Sequence, residues 1–104
     1  MNIQDYKNVF VFAEQRNGAI QPVAFELLGK ARDLADALGE KVVAMLLGYN
    51  VKEQAQTLIE MGADEVIVAD CPELKDYITE QYSQAAYQII TERKPTIVLY
   101  GATT

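Results

Sequence analysis

The feature of this sequence that most constrains its fold is a set of short, uniformly apolar runs separated by longer amphipathic segments. The runs are rich in β-branched and aromatic residues without polar alternation, which is typical of strands buried on both faces. They cover residues 9–13, 42–47, 66–69 and 97–100. Between them, apolar residues recur at three- and four-residue spacing, which predicts helices. This alternation predicts an α/β fold with an open, mainly parallel sheet and helices on both faces.

Local sequence signals indicate where the predicted helices begin and end. Pro22 stands where the first helix would start, and Gly39 follows its last apolar residue as a C-terminal cap. Asn50 and Glu53 form a variant of the capping box at the start of the second helix. Thr79 is expected to cap the third helix. These signals agree with the hydrophobic periodicity, so the order of helices and strands rests on two kinds of pattern.

The last four residues follow the fourth predicted strand at the point where such a fold would begin its next helix. Three predicted helices also leave a four-stranded sheet without complete cover. We therefore expect residues 1–104 to be one N-terminal α/β domain of a longer polypeptide, incomplete at its C-terminus.

The same last residues are candidate cofactor-binding residues: Gly101, Ala102, Thr103 and Thr104. Glycine permits close backbone approach, and two adjacent hydroxyl groups can bind a phosphate or the backbone of a partner. An ordinary turn between a strand and a helix, in which a threonine caps that helix, explains these residues equally well.

Composition excludes several classes of protein. The sequence has no histidine, which removes the commonest general base and the usual zinc sites and argues against an ordinary hydrolase. The formal net charge of −6 argues against binding of nucleic acid. One cysteine cannot form an intramolecular disulfide, and no apolar run approaches the ~20 residues that span a bilayer. Together with an N-terminus that has no targeting pattern, these features predict a cytoplasmic protein without membrane insertion or a metal site.

Three polar side chains that follow strands are weaker candidates. Glu14 and Asp70 stand where a carboxylate reaches a ribose hydroxyl in nucleotide-binding sheets. Neither accompanies a glycine-rich phosphate loop, so a solvated loop carboxylate is the better interpretation of both. Cys71 has no lysine or histidine nearby in sequence that would activate its thiol, and we expect it to have no function. No catalytic residue is predicted.

Several segments, read in order, resemble one known family. They are residues 8–16 (NVFVFAEQR), 26–31 (ELLGKA) and 62–66 (GADEV), the pair Lys94-Pro95, and the final GATT. In this order they are similar to electron transfer flavoprotein alpha subunits, most of all to those of anaerobic bacteria. The resemblance covers nearly the whole chain, although no single segment carries a chemical mechanism.

The resemblance implies an electron-carrier subunit rather than an enzyme on its own. Members of this family pair with a beta subunit, carry FAD, and pass electrons to or from an acyl-CoA dehydrogenase or a similar flavoenzyme. In some members two flavins take part in electron bifurcation. The FAD of the alpha subunit is held by a C-terminal domain whose motifs are not among residues 1–104. By this resemblance the N-terminal domain is chiefly a scaffold, and residues 1–104 alone are expected to bind no cofactor.

The alternative is a stand-alone nucleotide-binding module of the universal-stress-protein or adenine nucleotide alpha hydrolase-like type, which shares the order of strands and helices. Such a module would hold ATP or AMP at the ends of the first and fourth strands, and it usually has a glycine-rich phosphate loop. The sequence lacks such a loop, which favours the electron-carrier interpretation.

Overall fold

The computed structural model describes residues 7–13, 15–16, 19–70, 72–74 and 79–100. Its strands are β1 (Val9–Phe12), β2 (Gln15–Arg16), β3 (Ala19–Ile20), β4 (Val42–Gly48), β5 (Glu65–Asp70) and β6 (Ile97–Leu99). Its helices are α1 (Pro22–Leu38), α2 (Gln54–Glu60) and α3 (Thr79–Arg93), with a 3₁₀ turn at Pro72–Leu74. The predicted alternation of strands and helices is confirmed, and each predicted strand end lies within one residue of the observed one.

Within the described ranges, one parallel four-stranded sheet has the strand order β5-β4-β1-β6. β1 is a central strand, since Phe10 pairs with Val43 on one side and with Val98 on the other. The chain moves outward from β1 to β4 and β5, and then crosses back past β1 to form β6. This topology confirms the predicted open parallel sheet. The chain adds β4 and β5 on one side of β1 and β6 on the other, so the strand order reverses between β1 and β6.

The sheet separates two apolar layers, as expected for strands that are apolar on both faces. On one face α1 and α2 pack over β1 and β4, where Leu28, Leu46 and Leu58 are fully buried. On the other face α3 and the 3₁₀ turn cover Phe10 and Met45. Helices on both faces are thereby confirmed. The outer strands β5 and β6 are only partly buried, in contrast to β1 and β4.

Helix α1 begins and ends where the sequence predicts. Pro22 is its first residue. Gly39 follows its last residue with a left-handed φ of 69°, and the Gly39 N–H donates to the carbonyl groups of Ala35 and Asp36. Glycine is favoured there because a side chain disfavours this backbone conformation. Thr79 is the first residue of α3, but its side chain lies outside the described part of the chain, so the predicted cap stays a prediction.

The predicted capping box at Asn50 is wrong. Helix α2 begins at Gln54, and Asn50 lies before it with a left-handed φ of 58°. Glu53 directly precedes the helix but makes no side-chain capping hydrogen bond. The backbone N–H groups of Asn50 and Val51 are bound instead by the carboxylate of Asp70. A side chain 19 to 20 residues away in sequence therefore orders this loop, which a local motif cannot reveal.

Arg32 ties α1 to the turn before β5. Its Nη1 lies 3.2 Å from the carbonyl oxygen of Gly62 and 2.8 Å from a carboxylate oxygen of Asp64, and its Nη2 lies 2.9 Å from Asp36. Asp64 also accepts a 2.9 Å hydrogen bond from the N–H of Val42. This backbone hydrogen bond, with help from Arg32, holds the pKa of Asp64 below its ordinary value.

A short antiparallel hairpin, formed by β2 and β3, follows β1 and was not predicted. Gln15 pairs with Ile20, and Arg16 pairs with Ala19. Strands of two residues are too short to show a hydrophobic period, so the sequence pattern could not reveal them. The hairpin places Gln15 near the carboxyl ends of β1 and β4.

Candidate functional site

The topology identifies the carboxyl edge of the sheet as the candidate site. In open α/β sheets, ligands bind outside the carboxyl ends of the strands where the strand order reverses. In this sheet the reversal lies between β1 and β6. β1 is followed there by the buried Ala13, and β6 is followed by Tyr100, which is 67% exposed.

Most of the candidate residues from the sequence lie outside the described residues. They are Gly101, Ala102, Thr103 and Thr104 after β6, Glu14 after β1 and Cys71 after β5. Their assignments therefore stay predictions. Asp70 is described, and it lies at the carboxyl end of β5.

A buried polar cluster that the sequence did not predict occupies part of this edge. The Gln15 side chain is 8% exposed, and its Nε2 donates hydrogen bonds to the carbonyl oxygen of Leu47 at 3.1 Å and to the Tyr82 hydroxyl at 2.9 Å. The Tyr82 hydroxyl in turn donates to the carbonyl oxygen of Leu74 at 2.7 Å. We call these four residues the Gln15–Tyr82 cluster. Tyr82 is 4% exposed on α3, and nothing in the sequence pairs it with Gln15.

Gly48, the last residue of β4, makes room for this cluster. A Cβ atom at Gly48 would lie 2.6 Å from the Gln15 Nε2 and 2.8 Å from Cγ1 of Val51. Both distances are well below van der Waals contact. The space that a glycine leaves at the end of this strand is therefore filled by the protein's own side chains.

Asp70 holds the loop that follows β4. Its carboxylate accepts hydrogen bonds from the N–H groups of Asn50 at 3.0 Å and of Val51 at 2.8 Å. These two hydrogen bonds lower the pKa of Asp70 below its ordinary value, and the one from Asn50 has the larger effect. Asp70 therefore orders a neighbouring loop, whereas the sequence suggested a carboxylate that is merely solvated.

We expect the substitution Asp70→Asn to weaken the dependence of stability on acid pH. The pKa of Asp70 is lower in the folded state than in the unfolded state, where it is 3.8. Its contribution to the free energy of unfolding is therefore complete above pH 3.8 and is lost as the pH falls through the folded-state pKa. An asparagine carries no charge and cannot show this loss. Urea denaturation of both proteins between about pH 6 and about pH 2.5 measures it.

Asp33→Asn, at an exposed position of α1, is the matched control for this experiment. It removes one carboxylate from the surface without touching the loop after β4. An equal weakening of the pH dependence in both variants would contradict the role given to Asp70.

Three polar side chains described at this edge help to fix its shape. Gln15, Tyr82 and Asp70 all bind the chain's own backbone or each other. A buried polar cluster with its hydrogen bonds made is rigid and specific in shape. Among the residues that the structure describes, no group of three or more His, Cys, Asp or Glu could hold a metal ion. None of the described helices has the length and hydrophobicity that crossing a bilayer requires.

Comparison with known proteins relates the whole sheet to one family. A family model of the electron transfer flavoprotein domain matches residues 9–104. The electron transfer flavoprotein subunit alpha of Thermoanaerobacterium thermosaccharolyticum is 50% identical over 101 residues, which are 97% of this chain and 31% of that protein. The protein FixB of Clostridium saccharobutylicum is 53% identical over 103 residues, which are 99% of this chain and 30% of that protein.

A third relative has the name of an enzyme, acryloyl-CoA reductase, in its own name. The acryloyl-CoA reductase electron transfer subunit beta of Anaerotignum propionicum is 44% identical over 102 residues, which are 98% of this chain and 28% of that protein. The chain thus spans less than a third of the length of each of these three relatives. Since the matched region contains every strand of the parallel sheet, the similarity concerns the domain as a whole rather than a short motif.

Proposed function

From the premise that the chain belongs to the electron transfer flavoprotein family, we propose that residues 1–104 form the N-terminal α/β domain of the alpha subunit of an electron carrier. The complete protein carries electrons on FAD, which a C-terminal domain binds. The domain described above serves as the scaffold on which the other parts assemble. A cytoplasmic location belongs to this proposal, and the single cysteine of the sequence is in keeping with it.

The observation that carries the proposal is the extent of the similarity. The family model matches residues 9–104, and three relatives match 97–99% of the chain at 44–53% identity. Two of these relatives have electron transfer in their names. Fold alone would not identify a function, because sheets of this topology serve many unrelated activities.

Two places at the described carboxyl edge beside β4 where a cofactor could approach the backbone are occupied by the chain's own side chains. The space beside Gly48, where a ligand could approach the backbone closely, is filled by Gln15 and Val51. In the loop after β4, the N–H groups of Asn50 and Val51 donate to the Asp70 carboxylate, so they are not open to a phosphate. In keeping with this, we assign the flavin to the part of the complete protein that lies outside this domain.

The proposed partners are a beta subunit and an acyl-CoA dehydrogenase or similar flavoenzyme. The second of these is supported by the Anaerotignum relative, whose name assigns it to an acryloyl-CoA reductase. Large apolar side chains that remain exposed on the domain offer contact area for other protein, among them Leu38 at 48%, Tyr87 at 72% and Tyr100 at 67%.

The alternative of a stand-alone nucleotide-binding module is not favoured by these similarities. Its support was the order of strands and helices, which the electron transfer flavoprotein domain explains equally well.

We expect the protein purified from its host to release FAD and to contain a polypeptide longer than 104 residues. Denaturing mass spectrometry reports both quantities in one measurement. Gel filtration before denaturation should show a second chain of different mass eluting with it, as expected for a heterodimer.

Residues 1–104 expressed alone provide the control, and we expect them to retain no flavin. A natural polypeptide of 104 residues without flavin would contradict the proposal. In that case, AMP or ATP bound to the purified protein would support the nucleotide-binding module instead.

A further inference from the structure

The Gln15–Tyr82 cluster joins four segments that are distant in the chain. Gln15 belongs to the hairpin, Leu47 to the end of β4, Leu74 to the 3₁₀ turn and Tyr82 to α3. The Gln15–Tyr82 hydrogen bond alone spans 67 residues of sequence. Buried side-chain hydrogen bonds of this kind are strong because water does not compete for them, and neighbouring bonds in a chain polarise one another.

The hairpin depends on such an anchor because it is too short to be stable alone. Each of its strands has two residues, and isolated two-stranded hairpins are marginal even when they are longer. Ile20 packs against the apolar layer under α1, which holds one strand of the hairpin. Gln15 holds the other strand, on the side of the sheet where α3 lies.

We propose that the Gln15–Tyr82 cluster is a latch that makes the hairpin and the beginning of α3 open and close together. The Tyr82 hydroxyl accepts from Gln15 and donates to Leu74, so its loss weakens the hold on the hairpin and on the 3₁₀ turn at once. Local opening in proteins occurs in contiguous cooperative units. Through the latch, the hairpin, the 3₁₀ turn and the start of α3 form one such unit, although the hairpin is far from the other two in sequence.

A partner that contacts the hairpin at the carboxyl edge would also act on α3. Binding that closes the hairpin also stabilises the start of α3 on the opposite side of the sheet from α1, and by linkage the reverse holds. This inference goes beyond the proposed function and does not depend on it.

Hydrogen exchange measured by mass spectrometry on the complete protein tests the latch. Tyr82→Phe keeps the ring in place and removes the hydroxyl alone. We expect exchange in the hairpin peptide, which contains Gln15 and Ile20, to become about five- to tenfold faster, as for the loss of one ordinary hydrogen bond. Gln15→Ala should in turn accelerate exchange around Leu74 and in the first turn of α3.

Gln88→Ala is the control, because it removes an exposed side chain of α3 that bonds Glu92 at 3.4 Å and takes no part in the described hydrogen bonds of the cluster. It should leave exchange in the hairpin unchanged. The proposal is overturned if Tyr82→Phe accelerates exchange only within α3. It is equally overturned if both cluster variants accelerate exchange evenly over the whole protein, because that pattern indicates a global loss of stability.

Discussion

Replacement of Leu46 by alanine is expected to lower the free energy of unfolding by about 3 kcal/mol, within the usual range for a buried leucine. Leu46 lies within β4, is fully buried, and packs in the apolar layer between the sheet and helices α1 and α2. The sheet holds this position rigidly, since Leu46 also pairs with Val68 of β5. The cavity that Leu46→Ala leaves therefore cannot collapse easily. The loss of stability combines less buried apolar area with the missing packing contacts around the cavity.

The matched control is Leu34→Ala, which makes the same chemical change on α1 at a side chain that is 38% exposed. We expect a change within about 0.5 kcal/mol, as for most surface substitutions. Urea denaturation followed by circular dichroism measures both, with the midpoint shifting and the slope unchanged. Equal shifts in the two variants would contradict the assignment of Leu46 to the core.

The fold was predictable because its main signals are local and strong. An uninterrupted apolar run such as residues 42–47 fits a strand covered on both faces, and the observed β4 is buried at every position. The ends of α1 were predictable for the same reason, since Pro22 and Gly39 act through their own backbone conformations. Such effects do not depend on where the rest of the chain lies.

The contacts at the carboxyl edge were not predictable because they join residues far apart in sequence. Asp70 binds the loop at Asn50 across the two neighbouring strands β4 and β5, and it replaces the local cap that the sequence suggested. Gln15 meets Tyr82 only because α3 crosses the face of the sheet opposite α1. A polar residue just after a strand is the one sequence signal that pointed toward this region, and it does not identify the partner.

The family could be predicted from the amino-acid sequence, whereas the chemistry could not. Segments such as residues 8–16 and 62–66 resemble the family, and the match over residues 9–104 confirms it. Among the described residues, Gln15 binds Leu47 and Tyr82, and Asp70 binds the backbone of the loop after β4, so both side chains hold the chain's own structure together.

Gly48→Ala is expected to lower the free energy of unfolding by about 3 kcal/mol, since overpacking adds to the loss of buried hydrogen bonds. The new methyl group would meet the Gln15 Nε2 at 2.6 Å and the Val51 Cγ1 at 2.8 Å. Val51 is fully buried and cannot retreat without disturbing the layer beneath α2. Gln15 can retreat, but only by giving up its hydrogen bonds to Leu47 and Tyr82.

Gly29→Ala separates this steric effect from the general effect of replacing a glycine. Gly29 lies within α1, and nothing approaches within 4 Å of the place that its Cβ would take. The same substitution should there raise the free energy of unfolding by about 0.5–1 kcal/mol, because alanine favours the helix more than glycine does. Urea denaturation should therefore give opposite signs for the two variants. A stabilising effect at Gly48 would mean that Gln15 moves at no cost, and both the packing of the carboxyl edge and the proposed latch would have to be given up.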